Sequence, residues 1–166
     1  IIFYIDSTSQ NMLISSTTDQ GIAPWGCMGT LIGTSTAIGT GQTNTTAIVN
    51  GCNAAGIAAR ICNDLVLNGY EDWFLPSKDE LNQMYIQKNI IGGFTDNIYI
   101  NSSEEGSDGA WAQHFHSGWG GQFTNSKNYT AYVRAIRACS TSVNLLTVTT
   151  NAIIDITPAS ATSGGN

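Results

Sequence analysis

The residues best suited to contact chemistry crowd into one stretch of the chain. Between Glu104 and Tyr129 stand Trp111, His114, Phe115, His116, Trp119, Phe123 and Tyr129, interleaved with Gly, Ser and Asn. Aromatic rings in polar loops offer stacking surface at small entropic cost, and the amides of Asn125 and Asn128 supply paired hydrogen bonds. In a strand over Ala110 to His116, alternation puts Trp111 and Phe115 on one face, expected to be core, and His114 and His116 on the other. The candidate ligand-contact set is therefore His114, His116, Trp119, Phe123, Asn125, Asn128 and Tyr129, with His114, His116 and Trp119 the residues expected in solvent. Glu104, Glu105 and Asp108 fall within five positions of one another. Such oxygens suit calcium, the one ion the sequence points to, although an acidic turn that is merely solvated is the simpler reading.

Bond-making chemistry has no comparable signature. There is no G-x-S-x-G, no H-E-x-x-H and no Gly-rich phosphate loop, so an enzyme is the least favoured class. Cys27, Cys52, Cys62 and Cys139 lack C-x-x-C spacing and stand apart from the two histidines, which argues against zinc. Their even number in a chain poor in charge favours disulfides over buried thiols. With 6 Lys+Arg against 12 Asp+Glu and a net charge of -6, the chain has no basic surface for nucleic acid. Charged residues are 11% of the total, and Gly, Ser, Thr and Asn take the surface positions instead, a balance that suits exported or cell-surface domains. No apolar run has the length of a membrane span. The chain opens inside a strand-like run, Ile1 to Ile5, and reads as a mature or excised segment.

These residues need a scaffold, and 166 residues suffice for one domain with a short appendage. Ile1 to Asp6 and Met12 to Ser15 predict a hairpin. Residues 16 to 43 hold too many glycines for regular structure, with Trp25 and Ile32 as anchors. Ile48, Cys52, Ala55, Ala59, Cys62 and Val66 recur in steps of three and four, which predicts a helix over Thr43 to Leu67, weakened by Gly51 and Gly56. On a continuous helix Cys52 and Cys62 would stand ~15 Å apart, too far to bridge, so Cys27 and Cys139 would each take one of them. Pro76-Ser77-Lys78-Asp79-Glu80 predicts a second helix with Ser77 as N-cap and Glu80 as its capping-box partner, an apolar face of Leu81, Met84 and Tyr85, and an end near Asn89. Beyond residue 94 strands follow: Ile98 to Ile100, a polar loop Asn101 to Gly109, Ala110 to Phe115, Gly118 to Gly121, and a central strand Tyr129 to Ala138 with Arg134 and Arg137 on opposite faces. Glu71 and Asp72 are expected to cap or pair within the fold. The composition breaks near residues 140 to 147, beyond which there is no aromatic residue and one charge, Asp155; Val148 to Ile156 alternates like a strand.

The block GYEDWFLPSKDELNQMY (Gly69 to Tyr85) resembles the Lcl C-terminal domain, the globular end of legionella collagen-like adhesins and of other bacterial surface proteins. IIFYID, the WGC segment at Trp25 to Cys27, AIGTG (Ala37 to Gly41), GIAARIC (Gly56 to Cys62), a GGF turn, Ser102 to Glu104, Ala110-Trp111 and YVRAIRA follow the order of that family across residues 1 to 139. Relatives commonly carry Trp just before the SSE turn, where this chain has Ile100-Asn101. The resemblance implies an α+β, C-type-lectin-like fold, related to that of formylglycine-generating enzymes, in which two helices flank a small twisted antiparallel sheet and long loops form a binding face. It implies residues 1–140 as the domain and Cys62 bridged to Cys139, leaving Cys27 with Cys52. Thr149 to Asn166 resembles the opening of a fibronectin-type or immunoglobulin-like repeat. The expected role is extracellular adhesion to a glycan or surface protein without catalysis. The alternatives are a filament or layer subunit assembled through the 141–166 tail and a lectin-like scaffold for diversified loops.

Overall fold

The computed structural model describes residues 1–8 and 10–140, so the expectations for the 141–166 tail lie outside the described residues. β1 (Ile2–Ile5) and β2 (Asn11–Ser15) form the expected antiparallel hairpin, with Ile5 opposite Met12. Asp6 holds its turn: the carboxylate accepts the Asn11 amide at 2.6 Å and the backbone N–H groups of Thr8 and Gln10. Those bonds, the Asn11 one foremost, bring its pKa down to about 2.

The long glycine-rich segment is more ordered than its composition indicates. It contains β3 (Gly21–Pro24), paired antiparallel to the late strand β7 (Thr130–Val133). The expected single helix is two, α1 (Gly41–Gly51) and α2 (Ala58–Asn63). Cys52 leaves α1 in an extended conformation and Gly56 takes φ 69°, a left-handed value glycine adopts at no steric cost, so the periodic pattern spans a break. α3 (Lys78–Ile86) begins with the predicted capping box: Ser77 Oγ accepts from Glu80 N, and the Glu80 carboxylate accepts from Ser77 N at 2.7 Å. A short α4 (Lys88–Ile91) continues it past Asn89.

Five strands, in the order β3-β7-β4-β5-β6, make the larger sheet, with β4 (Ile98–Glu104), β5 (Gly109–His114) and β6 (Gln122–Ser126). β1, β2 and β8 (Ile136–Ser140) make the smaller one. The fold is thus mixed α+β, with two sheets and four helices among the described residues rather than one sheet and two helices. Two sequence expectations shift for a shared reason, the burial of polar groups. Asn101, Ser102, Ser103 and Glu104 are buried in β4 rather than in a polar loop. The strand expected over Tyr129 to Ala138 divides at Arg134, which is fully buried and donates to Asp19 at 2.7 Å and to the Ser16 and Gly93 carbonyls. Residues on either side of it therefore join different sheets. Arg137, on β8, pairs with Asp72 at 2.7 Å, as expected for that carboxylate; this bond holds the Asp72 carboxyl below its ordinary range.

Each sheet has its own core. Trp25, Ile48, Ile57, Leu75 and Val133 pack where α1 and α2 meet the larger sheet. Phe3, Leu13, Phe74, Leu81, Met84, Tyr99 and Ile136 fill the space beneath the smaller sheet and α3. Each fully buried side chain of this size contributes roughly 1.5–3 kcal/mol.

The sulfur pairing is half of that expected. Cys27 and Cys52 are bonded, Cα atoms 5.7 Å apart, and clasp the loop after β3 to the end of α1. Cys62 and Cys139 are free. The division at Arg134 explains the correction: β8 carries Cys139 into the smaller sheet opposite Met12, whereas Cys62 faces the other core. Burial pushes the Cys62 thiol well up.

Between β3 and α1, residues 30 to 40 lie in a loop whose backbone is held largely by side chains. Glu104 accepts the N–H groups of Ile32, Gly33 and Thr34 and pairs with the buried Lys127 ammonium at 2.7 Å. Lys127 also donates to Thr30 O and lies 4.2 Å over the Trp25 ring. Asn44 and Ser103 bond Ser35, Ser77 Oγ bonds Ala37 O, and Glu80 accepts from Gly39 N at 2.8 Å. Gly41 has no side chain because a Cβ there would collide with the Glu80 carboxylate and stand 2.9 Å from Leu75 O.

Burial pushes the Glu104 carboxyl up, but Lys127 and the three amides outweigh it and leave the group below its ordinary 4.5. A depressed carboxyl stabilises the fold above its unfolded value and loses that contribution as pH falls through the folded one. Glu80, raised by burial, acts in the opposite sense. Glu104→Gln is expected to cost about 3–5 kcal/mol at pH 7 in urea unfolding and to flatten the loss of stability below pH ~4.5 relative to the parent chain. In denaturant without reductant the chain should titrate two thiols, and reducing the Cys27–Cys52 bond should lower stability by about 3 kcal/mol.

Candidate functional site

The aromatic residues singled out in the sequence meet where β5 gives way to β6. These strands pair from Gly109 opposite Ser126 to Gln113 opposite Gln122. Phe115, the next inward residue, is buried against Tyr85, Phe94 and Tyr99, with ring centroids 5.4, 4.7 and 4.5 Å away. The chain then reverses, and an isolated bridge joins His116 to Trp119, with Gly118 at φ 89°. The Trp119 ring returns over His114 at 4.2 Å; His114 also contacts Phe123 at 4.6 Å and His116 at 5.0 Å. Four of the expected ligand-contact residues thus form one cluster. His114 and His116 are half-buried in it, whereas Trp119 is 58% exposed, its ring backed by His114 and Gly121.

The turn is fixed from below. Lys88 Nζ donates to the Phe115 and His116 carbonyls at 3.2 and 3.1 Å while lying 4.5 Å over the Tyr85 ring. The buried Gln113 amide donates to Gly120 O at 3.0 Å and to Asn82 at 2.9 Å. Asp96 Oδ1 accepts the Ser117 N–H at 2.8 Å and stands 3.5 Å from His116 Nδ1. Gly120 lies flat on Tyr85, and a Cβ there would enter the ring. Desolvation and the neighbouring His116 push the His114 pKa down, favouring the neutral ring as a stacking surface. Beside the turn opens a cleft of about 440 Å³ whose lining includes Phe94, Phe115, Asn89, Thr95, Asp96 and Ser117.

The other expected residues lie elsewhere. Asn125, Asn128 and Tyr129 sit at the far end of β6 and in the turn after it, where Asn128 Nδ2 approaches the Met28 sulfur at 3.1 Å and Tyr129 is exposed. They form no part of the aromatic cluster. Trp111, expected in the core with Phe115, is half-buried under the Lys78 ammonium, 4.1 Å from its ring centroid, whereas Gln113 and Phe115 on the same face are buried. The calcium set is dismantled by Glu104, whose oxygens already take Lys127 and three amides, while Glu105 and Asp108 remain exposed. Among the described residues no three His, Cys, Asp or Glu side chains converge on a metal-sized space.

The sequence carries no sign of the roles of Lys88, Asp96 and Gly120, and it marks Tyr85 only as part of an apolar helix face. The first two carry no pattern, because their partners are backbone groups nearly thirty positions away in one case and about twenty in the other. The run Gly118 to Gly121 was the available signal, and it marks a tight turn against a ring rather than a strand. Chemically, the arrangement presents an exposed ring face next to a polar cleft. No family model matches the sequence, and no curated protein matches it either.

Gly120→Ala should force the turn off Tyr85. The expected cost is about 1–3 kcal/mol, and proton NMR should register lost ring-current shifts at His114.

Proposed function

We propose that the chain is a non-enzymatic ligand-binding domain of an exported bacterial surface protein, of the Lcl C-terminal type with a C-type-lectin-like fold, and that it recognises glycans through the β5–β6 turn. The observation that carries this reading is Trp119: a large apolar ring 58% exposed, stacked on one side by His114 and supported by Lys88, Gln113 and Asp96. A rigid ring of this kind meets the C–H face of a sugar at little entropic cost. The order of the sequence blocks over residues 1 to 139, the mixed α+β architecture and the Cys27–Cys52 bond are compatible with that family and with an oxidising compartment. No helix among the described residues is long and apolar enough to cross a membrane.

The test is an immobilised-glycan array probed with the whole 166-residue chain and with Trp119→Ala. Binding weakened about tenfold or more by the substitution, at an unchanged melting temperature, is the expected result. A parent chain that binds no carbohydrate but captures a surface protein through Trp119 would replace the glycan by a protein ligand, and the absence of any Trp119-dependent binding would remove the site.

A further inference from the structure

From the cleft beside the aromatic turn we infer that the ligand is an uncharged sugar whose neighbouring hydroxyls donate to Asp96. This rests on the glycan reading above and adds the ligand's charge class and a subsite. The decisive observation is what the chain has done with its cations. It contains six Lys and Arg residues. Three are paired with carboxylates: Lys127 with Glu104, Arg134 with Asp19 and Arg137 with Asp72. Arg60 donates to the Val49 and Cys52 carbonyls at 3.0 and 2.7 Å. Lys78 lies over Trp111, and Lys88 is turned toward two carbonyls and the Tyr85 ring. Each therefore has an internal partner, against a net charge of -6 for the chain. A sulfated, sialylated or uronate-bearing glycan would meet no uncommitted cation at this cleft and would face the exposed Asp96 carboxylate, a like charge that disfavours it.

The cleft itself has the makings of a neutral-sugar subsite. Phe94 supplies apolar wall, and Asn89, Thr95 and Ser117 supply polar groups. Asp96 belongs both to the cleft and to the turn, since it bonds Ser117 and approaches His116. Its Oδ1 is occupied in that way; its Oδ2 has no hydrogen-bond partner among the described residues, and the side chain is 61% exposed. A carboxylate with one oxygen fixed to the backbone and the other open is an oriented acceptor for vicinal hydroxyls, which donate and carry no charge.

The probes are arrays of lactose- and N-acetylglucosamine-terminated glycans beside sialylated and sulfated counterparts, read with the whole chain and with Asp96→Asn. Asn keeps an oxygen for the Ser117 N–H while removing the charge and one acceptor. Neutral glycans should bind, charged counterparts should bind at least about tenfold more weakly, and Asp96→Asn should weaken neutral-glycan binding about tenfold with the melting temperature unchanged. Equal or stronger binding of sialylated or sulfated glycans, or neutral-glycan binding indifferent to Asp96→Asn, would overturn the inference while leaving Trp119-dependent recognition standing. Silence on every glycan class would instead remove the glycan reading, and this inference with it.

Discussion

A backbone stretch outside helices and sheets must find its hydrogen-bond partners elsewhere. Residues 30 to 40 find many of theirs on side chains, and two glutamates take four of the N–H groups. Glu104, from the end of β4, gathers three successive N–H groups; Glu80, from the first turn of α3, takes Gly39 N while closing its own capping box. Neither carboxylate could sit there bare. Glu104 is neutralised by Lys127, and Lys127 in turn is enclosed by Trp25 and the Thr30 carbonyl. The loop thus ties β4, α3 and the turn after β6 into one body before any sheet hydrogen bond is considered.

The same economy of charge reaches the site. Arg134 divides the last strand and, from the junction, bonds Gly93 O and lies 4.2 Å over Phe94, both of which line the cleft. Lys88 holds the aromatic turn by its carbonyls. Cations that would elsewhere meet solvent or an anionic partner here shape the interior and the walls. The surface that remains near the turn includes the exposed Trp119 ring, Asn89 and the Asp96 carboxylate.

Local signals in the sequence were legible where the physics is local. Ser77 and Glu80 mark their helix because a capping box closes within four residues, and the first hairpin follows from Ile1 to Ser15 for a similar reason. The aromatic cluster was partly legible: alternation put His114 and His116 on one face, and both joined it with Trp119 and Phe123. What the sequence hid were events decided by distant partners. Nothing near Arg134 announces that its guanidinium will find Asp19 and Gly93 and so split a single strand into two, and with that split the Cys62–Cys139 pairing implied by resemblance is lost. Glu104 read as a solvated turn residue because Lys127 and the 32–34 amides are far away in the chain. Trp111 shares its face of β5 with the buried Gln113 and Phe115, and nothing in the alternation tells that its end of that face lies open beneath Lys78.

The register of the smaller sheet has a mechanical meaning. β1 and β8 both pair antiparallel with β2, so they run the same way, with Ile2 level with Ile14 and Arg137 and Ile5 level with Met12 and Cys139. Tension between residue 1 and residue 140 pulls these strands past one another along their length. Because ladder hydrogen bonds lie across the strands, such a pull loads them side by side in shear instead of unzipping them singly. The domain therefore resists extension best along that axis.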